Sequence, residues 1–234
     1  MKNIFDTLNK QFSSFIEQTE DFILKEMEPF TRLMMQYECA ILEIETKLKV
    51  LNREFSLNGA SNPIESISTR LKNPRSLKRK LERYNLSQDI DSIRNHIHDV
   101  AGVRVVCSFK NDVYKLVEAI KNQDDITVIK EKDYIKNYKE NGYRSYHLIV
   151  SVPIFMAESK EEMTVEIQFR TIAMDFWASL EHKLRYKKNL SKEKEEQIEK
   201  RLLMCAEISS RLDSQMQKVK EMIEEDSSLE SENE

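Results

Sequence analysis

Glycine and proline are scarce in this chain, at 3 and 4 of 234 residues. So few turn formers argue against a fold of tight hairpins and for long helices. Cysteine is sparse as well: Cys39, Cys107 and Cys205 lie far apart, are odd in number and form no Cys-x-x-Cys. That fits buried, inert thiols in a reducing compartment. No stretch approaches the ~20 apolar residues of a membrane-spanning helix. The opening MKNIFDTLNKQF has neither the apolar run nor the small-residue cleavage site of a secretory leader. A soluble, cytoplasmic protein without a membrane partner is expected. A large charge excess is also missing: the net charge is −4, which carries no whole-chain signal for nucleic acid or membrane.

What is present is a foldable mixture, 40% hydrophobic and 33% charged. Phe30, Met34, Tyr37, Ile41, Ile44, Leu48, Leu51 and Phe55 alternate spacings of four and three, which predicts a helix with one apolar stripe. Phe5, Leu8, Phe12 and Phe15 begin an earlier stripe of the same kind, and Pro29 is expected to separate the two helices. The run Asn58-Gly59-Ala60-Ser61-Asn62-Pro63 ends the second. Near the other end, Ile198, Leu202, Cys205, Ser209, Leu212, Met216, Val219 and Ile223 share a seam. It suits either a coiled coil with another subunit or packing on its own domain. Beyond Glu225 the acidic tail is expected to be disordered.

The middle of the chain alternates. Strands are predicted at Val103–Cys107, Ile126–Ile129, Tyr143–Val152 and Met163–Phe169, with helices at Asp112–Ile120 and Met174–Tyr186. The fold class is therefore α+β: a mixed β-sheet flanked by helices, with long N- and C-terminal helices. The expected division is N-terminal helices over 1–62, a central domain over 63–187, a helix over 188–225 and the tail over 226–234.

Two of these strands carry a polar face. In Met163–Arg170, Val165, Ile167 and Phe169 point one way and Thr164, Glu166, Gln168 and Arg170 the other. In NGYRSYHLIV, Tyr143, Ser145 and His147 share a face opposite the core-forming Leu148 and Val150. Burying that many polar groups without partners costs several kcal/mol, whereas a face open to water or to a charged ligand avoids the cost. Residues 70–83 carry Arg70, Lys72, Arg75, Lys78, Arg79, Lys80 and Arg83 against one acid, Glu82. Such a run is a phosphate-binding surface or simply a solvated helix face. His96 and His98, two apart on an expected helix, point apart and do not suggest zinc.

The segments SISTRLK, HDVAGVRVVCSF, EKDYIKNYKENGYRSYHLIV, VEIQFRT and AMDFWASLEHKL occur in this order. Together they resemble the synthetase domain of the RelA/SpoT family over about residues 63–187, and the short chain resembles a small alarmone synthetase. The resemblance implies a nucleotidyltransferase-like fold and transfer of pyrophosphate from ATP to the ribose 3′-hydroxyl of GDP or GTP, giving AMP and (p)ppGpp. It further implies Mg²⁺ as cofactor, a homotetramer, and no hydrolase activity. By the same resemblance Asp99 and Glu166 match the metal-binding acids, with Glu166 also activating the 3′-hydroxyl. Arg70 and Arg104 match the arginines on either side of adenine, and Lys72, Ser76 and Lys80 match contacts to the ATP phosphates. Tyr143 matches the tyrosine that stacks on guanine. His147 and Gln168 match contacts near the acceptor ribose and phosphates, and Lys132 and Lys139 match basic residues of a phosphate-holding loop. Asp175 stands where many relatives have Asn, and its carboxylate accepts from both guanine N1–H and the 2-amino group. Alternatives are an RNA-binding module or an alarmone-binding regulatory module with weak catalysis, and allosteric control by (p)ppGpp at a tetramer cleft.

Overall fold

The computed structural model describes residues 2–57, 62–185 and 191–231, with side chains described over 28–57, 62–184 and 191–226. The first element, α1 (Lys2–Leu57), is one helix with Pro29 inside it. The break expected at Pro29 is not there. Proline forfeits one amide donor and crowds one turn, a local loss of ~3 kcal/mol, and the following turns are anchored by Leu33, Tyr37, Ile44 and Leu48 in the core. The turn expected after this helix lies mostly outside the described residues.

After α1 come β1 (Ile64–Leu71), α2 (Pro74–Arg83), α3 (Ile90–His96), β2 (Ala101–Cys107), α4 (Lys110–Lys121) and β3 (Thr127–Asp133). They are followed by β4 (Tyr146–Phe155), β5 (Lys160–Thr171), α5 (Ile172–Arg185) and α6 (Lys192–Ser231). The helix α6 thus continues past residue 225, where the sequence reading ended it. The sheet order is β1-β2-β5-β4-β3, with β2 and β5 parallel and the other neighbours antiparallel. This is the mixed sheet flanked by helices that the alternating pattern implied. None of the described helices is long and apolar enough to cross a membrane.

Register sorts the side chains into two faces. Val103 pairs with Ile167 and Val105 with Phe169, while Leu148 and Val150 pair with Ile167 and Val165. All are buried, and Leu33, Tyr37, Ile44 and Leu48 of α1 and Val113, Leu116, Val117 and Ile120 of α4 complete that core. Each fully buried aliphatic side chain contributes roughly 1.5–3 kcal/mol, so this face holds the domain together. The other face carries Arg70, Gly102, Arg104, Glu166, Gln168, Arg170 and His147, aligned by the pairs Arg70↔Gly102, Gly102↔Glu166, Arg104↔Gln168 and His147↔Gln168.

Ser145 corrects one expectation. The strand begins at Tyr146 rather than Tyr143, so the alternation does not extend back to Ser145. Ser145 is fully buried and its hydroxyl donates to the Phe169 carbonyl at 3.0 Å. Tyr143 and His147 do meet, through the turn that precedes the strand.

The helix α6 sits on the domain by an unexpected side. Its buried residues are Ala206, Asp213 and Gln217, whereas Ile198, Leu212, Met216 and Val219 of the apolar seam are exposed. Asp213 accepts a hydrogen bond from the Thr171 hydroxyl at 2.9 Å. Burial pushes the Asp213 carboxyl above its ordinary range, against the Thr171 hydrogen bond and the charge of Lys110. A pKa raised by folding means that stability present below the unfolded value is lost as pH rises through the folded one. Asp213→Asn keeps an oxygen for Thr171 and removes that loss. Its melting temperature should exceed the parent's by a margin that grows as pH rises from about 4 to 8. A parent more stable than the variant at the upper end of that range would contradict this reading.

Candidate active site

The basic segment 70–83 divides between β1 and α2. Asn73 caps α2, accepting from the Ser76 amide at 2.8 Å, and Pro74 follows in the first turn, where its missing donor costs nothing. The helix buries Leu77 and Leu81. Ser76 and Lys80, four residues apart, therefore share a side, with Lys72 just before the helix. Lys72 Nζ and Lys80 Nζ donate to the two carboxylate oxygens of Asp99 at 2.8 and 2.6 Å. Burial works against ionising Asp99, but the two lysines outweigh it and hold the carboxyl below its ordinary range. Ser76 accepts from Arg79 at 3.3 Å and does not touch the acid.

Three residues after Asp99, Gly102 opens a gap in the sheet face. A Cβ there would lie 3.3 Å from Arg70 Cγ and Nε, so the Arg70 side chain lies across the bare glycine. Burial and then the Arg170 charge lower the Arg104 pKa, Asp175 opposes them, and Arg70 adds a smaller push in the same downward direction. With Ser68, Thr69, Gly102, Val103 and Gln168, Arg70 and Arg104 line a cavity of about 220 Å³. A neighbouring space of about 420 Å³, between the sheet face and α5, is lined by the same two arginines together with Tyr143, Gln168, Arg170 and Ser179.

Glu166 lies beside Gly102 in the parallel pair. It accepts from Gln168 Nε2 at 2.8 Å, and His147 Nδ1 lies 3.1 Å from its other oxygen. Burial raises its carboxyl, but the His147 hydrogen bond and charge and the Gln168 amide bring the net below the ordinary range, and the charge of Asp99 acts in the upward direction. In register Glu166 stands beside Gly102, three residues after Asp99, which brings the two acids to the same end of the parallel pair. A donor chain continues outward. Arg170 donates to Gln168 Oε1 at 3.2 Å, to the Tyr143 hydroxyl at 2.9 Å and to Asp175 at 2.9 Å. The Tyr143 hydroxyl also lies 2.9 Å from His147 Nε2, so the chain returns to the imidazole whose Nδ1 faces Glu166. Asp175, on α5, also lies 3.5 Å from Arg104.

Lys139 sits over the Tyr134 and Tyr143 rings at 4.8 and 4.9 Å. Lys132 pairs in register with His147 on the edge strand, exposed and out of contact with the cluster. The structure therefore gathers Arg70, Lys72, Lys80, Asp99, Arg104, Lys139, Tyr143, His147, Glu166, Gln168 and Asp175 on one face, with Ser76 and Lys132 at its margin. Arg170 was not among the expected site residues, yet it is buried and joins Asp175, Tyr143 and Gln168. Its position on the polar face of β5 was legible, and its partners were not. Tyr134, edge-on to Tyr143 and His147 at 6.2 and 5.3 Å, carried no signal.

A sheet face that gathers arginines, lysines, two acids and a lysine-flanked tyrosine has the charge to hold polyphosphate groups. The family described as the region found in RelA/SpoT proteins matches residues 69–191. The chain belongs to this family. It is 40% identical to GTP pyrophosphokinase YwaC of Bacillus subtilis over 85% of this chain and 93% of the relative. It is 35% identical to GTP pyrophosphokinase YjbM of the same organism over 83% and 90%. Among solved structures it resembles the Bacillus subtilis small alarmone synthetase 1 bound to its product pppGpp, with a TM-score of 0.75, 33% identity and coverage of 84% of this chain and 98% of that one. Small alarmone synthetase 2 from the same organism gives a TM-score of 0.73, 40% identity and coverage of 83% and 99%.

Proposed function

We propose that this chain transfers pyrophosphate from ATP to the ribose 3′-hydroxyl of GDP or GTP, releasing AMP and forming (p)ppGpp. The observation that carries this reading is the single polar face on which an arginine pair, two ionised acids and a lysine-flanked tyrosine meet. Arg70 and Arg104 take the adenine between two flat, weakly hydrated guanidinium planes. Lys72 and Lys80 contact the ATP phosphates, with Ser76 beside them. Tyr143 stacks on guanine, Asp175 accepts from its N1–H and 2-amino groups, and Lys139 and Lys132 hold the acceptor phosphates. His147 and Gln168 orient the acceptor ribose and, through their hydrogen bonds, Glu166.

In the reaction the 3′-oxygen attacks the β-phosphorus of ATP, the bond from that phosphorus to the α–β bridging oxygen breaks, and AMP leaves. Glu166 accepts the hydroxyl hydrogen, aligns the oxygen and takes the proton as the new O–P bond forms. A carboxylate held below its ordinary range is a weak base, so alignment and charge neutralisation carry most of the effect. Two ionised carboxylates in one neighbourhood fit Mg²⁺, which takes one or two protein carboxylates and completes its shell with phosphate and water. Among the described residues no three metal-binding side chains cluster, which fits such a shared shell rather than an all-protein cage. Asp99 and Glu166 would hold the ion, and when bound it neutralises phosphate charge.

Ile172, Phe176, Leu180 and Leu184 recur every four residues along α5 and are exposed, as are Ile198, Leu212, Met216, Val219 and Ile223 of the α6 seam. Apolar stripes of this length on two helices support assembly with further copies of the chain, for which a homotetramer is our reading. The deciding experiment incubates purified protein with ATP, Mg²⁺ and GDP or GTP and separates the nucleotides. Stoichiometric AMP and a guanosine product bearing a 3′-diphosphate support the proposal. Release of inorganic phosphate or pyrophosphate alone would refute it.

A further inference from the structure

The turn before Tyr143 rests on α6. Gly142 has φ +87°, and a Cβ on it would lie 2.5 Å from Ala206 Cβ and 3.2 Å from Leu203 Cδ1. Backbone hydrogen bonds close the turn, from Gly142 N to Lys139 O at 2.7 Å and from Lys139 N to Tyr143 O at 3.2 Å. Arg144 ties it further, donating to the Gly142 carbonyl at 3.1 Å. Tyr143 packs against a small cluster of Trp177, Ala178, Ala206 and Leu202. That seam is pinned by Trp177 Nε1 donating to the Leu202 carbonyl at 2.9 Å and by the Ser209 hydroxyl donating to the Ala173 carbonyl at 3.0 Å. The same turn carries Lys139 over the Tyr143 ring. Arg70 and Arg104 stand on β1 and β2, outside this turn.

We propose that Ala206 is a positioning residue for the guanosine acceptor: its methyl group seats Gly142 and so fixes the Tyr143 ring and Lys139. This rests on the reading that Tyr143 stacks on the acceptor base. The contact explains why α6, which bears no group of the nucleotide site, packs by small side chains at this point. A residue larger than alanine at 206, or larger than glycine at 142, pushes the turn and the ring away from α6. Because only the acceptor side moves, acceptor binding suffers and donor binding does not.

The test is a size exchange, read by initial rates with each substrate varied at saturation of the other. Gly142→Ala should raise the KM for GDP by about tenfold or more and leave the KM for ATP within about twofold, since displacements of an ångström have effects of this size. Adding Ala206→Gly empties the space that the new methyl needs, and the double variant should return the GDP KM to within about threefold of the parent. The remainder reflects the left-handed backbone, which the second substitution does not relieve. Melting temperature and the emission of Trp177, the one tryptophan of the chain, report the α5–α6 seam. If Gly142→Ala does not fold, Ala206→Val tests the same contact from the other side and should give the same split between substrates. A double variant no better than Gly142→Ala, or equal rises in both KM values, overturns the proposal. Tyr143→Ala separates this from the underlying reading. An unchanged GDP KM in Tyr143→Ala sinks the acceptor assignment itself, whereas a raised one with a silent size exchange sinks the role of Ala206 alone.

Discussion

Glu166→Gln should lower kcat/KM for both substrates by about 10²–10⁴ while the protein stays folded, the range expected when a positioned acid–base group is removed. The loss has two sources. The amide cannot accept the 3′-hydroxyl proton, and it offers a metal a neutral oxygen in place of a charged one. One carboxylate oxygen currently accepts from Gln168 and the other faces His147, so one of these partners will meet an NH₂ donor instead. Thermal stability should therefore fall by a few degrees, about 1 kcal/mol, which circular dichroism and a melting curve will separate from unfolding. The parent should keep its activity as pH falls towards the ordinary carboxylate range. Glu166 and Asp99 are both held below it, so both stay ionised until the solution is more acidic than an unperturbed carboxyl requires. A Glu166→Gln enzyme within tenfold of the parent would remove Glu166 from the chemistry.

The second large effect lies in the acceptor half. Tyr143→Ala should raise the KM for GDP and GTP by about 10–100-fold, the equivalent of roughly 1–3 kcal/mol of stacking, with the KM for ATP little changed. Tyr143 also accepts from Arg170 and shares a hydrogen bond with His147, so its loss unlocks the His147 ring as well as the platform. Tyr143→Phe separates the two functions. It keeps the ring beneath the base but ends the hydroxyl link, so acceptor KM should stay within about threefold while kcat falls as His147 and Glu166 lose alignment. A phenylalanine variant that loses acceptor affinity as completely as the alanine variant would show that the ring does not serve as a stacking surface.

Much of this was legible in the chain. The α1 stripe follows from spacing alone, and the two faces of β5 follow from alternation in VEIQFR once a strand is granted. The site residues came from motif resemblance, which carries identity but not partners. That is why Arg170 was passed over: nothing in the sequence says that an arginine on the polar face will hold Asp175, Tyr143 and Gln168 at once. Ser145 was misread because alternation was extended one turn beyond the strand's start. Strand β1 is an edge strand exposed along most of its length; only Ile64, Ile67 and Leu71 are covered, at spacings of three and four that carry no strand period. Pro29 was overrated as a breaker because packing of the later turns, invisible locally, outweighs one missing amide. For α6 the hydrophobic seam left open whether it meets another subunit or its own domain, and most of it stays off the domain. The domain-facing side is built from Ala206, Asp213 and Gln217, whose fit depends on Gly142, Thr171 and Asn111, all far away in sequence.

The central claim is that Asp99 and Glu166 serve one cation, and the direct measurement is Mn²⁺ binding, standing in for Mg²⁺, followed by electron paramagnetic resonance in the presence of a non-hydrolysable ATP analogue. Parent, Asp99→Asn, Glu166→Gln and the double variant are compared. If both acids hold one ion, each single change should weaken binding by about tenfold or more, and the double change should weaken it at least as much as either alone. Parent-like Mn²⁺ affinity in either single variant would mean that the two carboxylates do not share a cation.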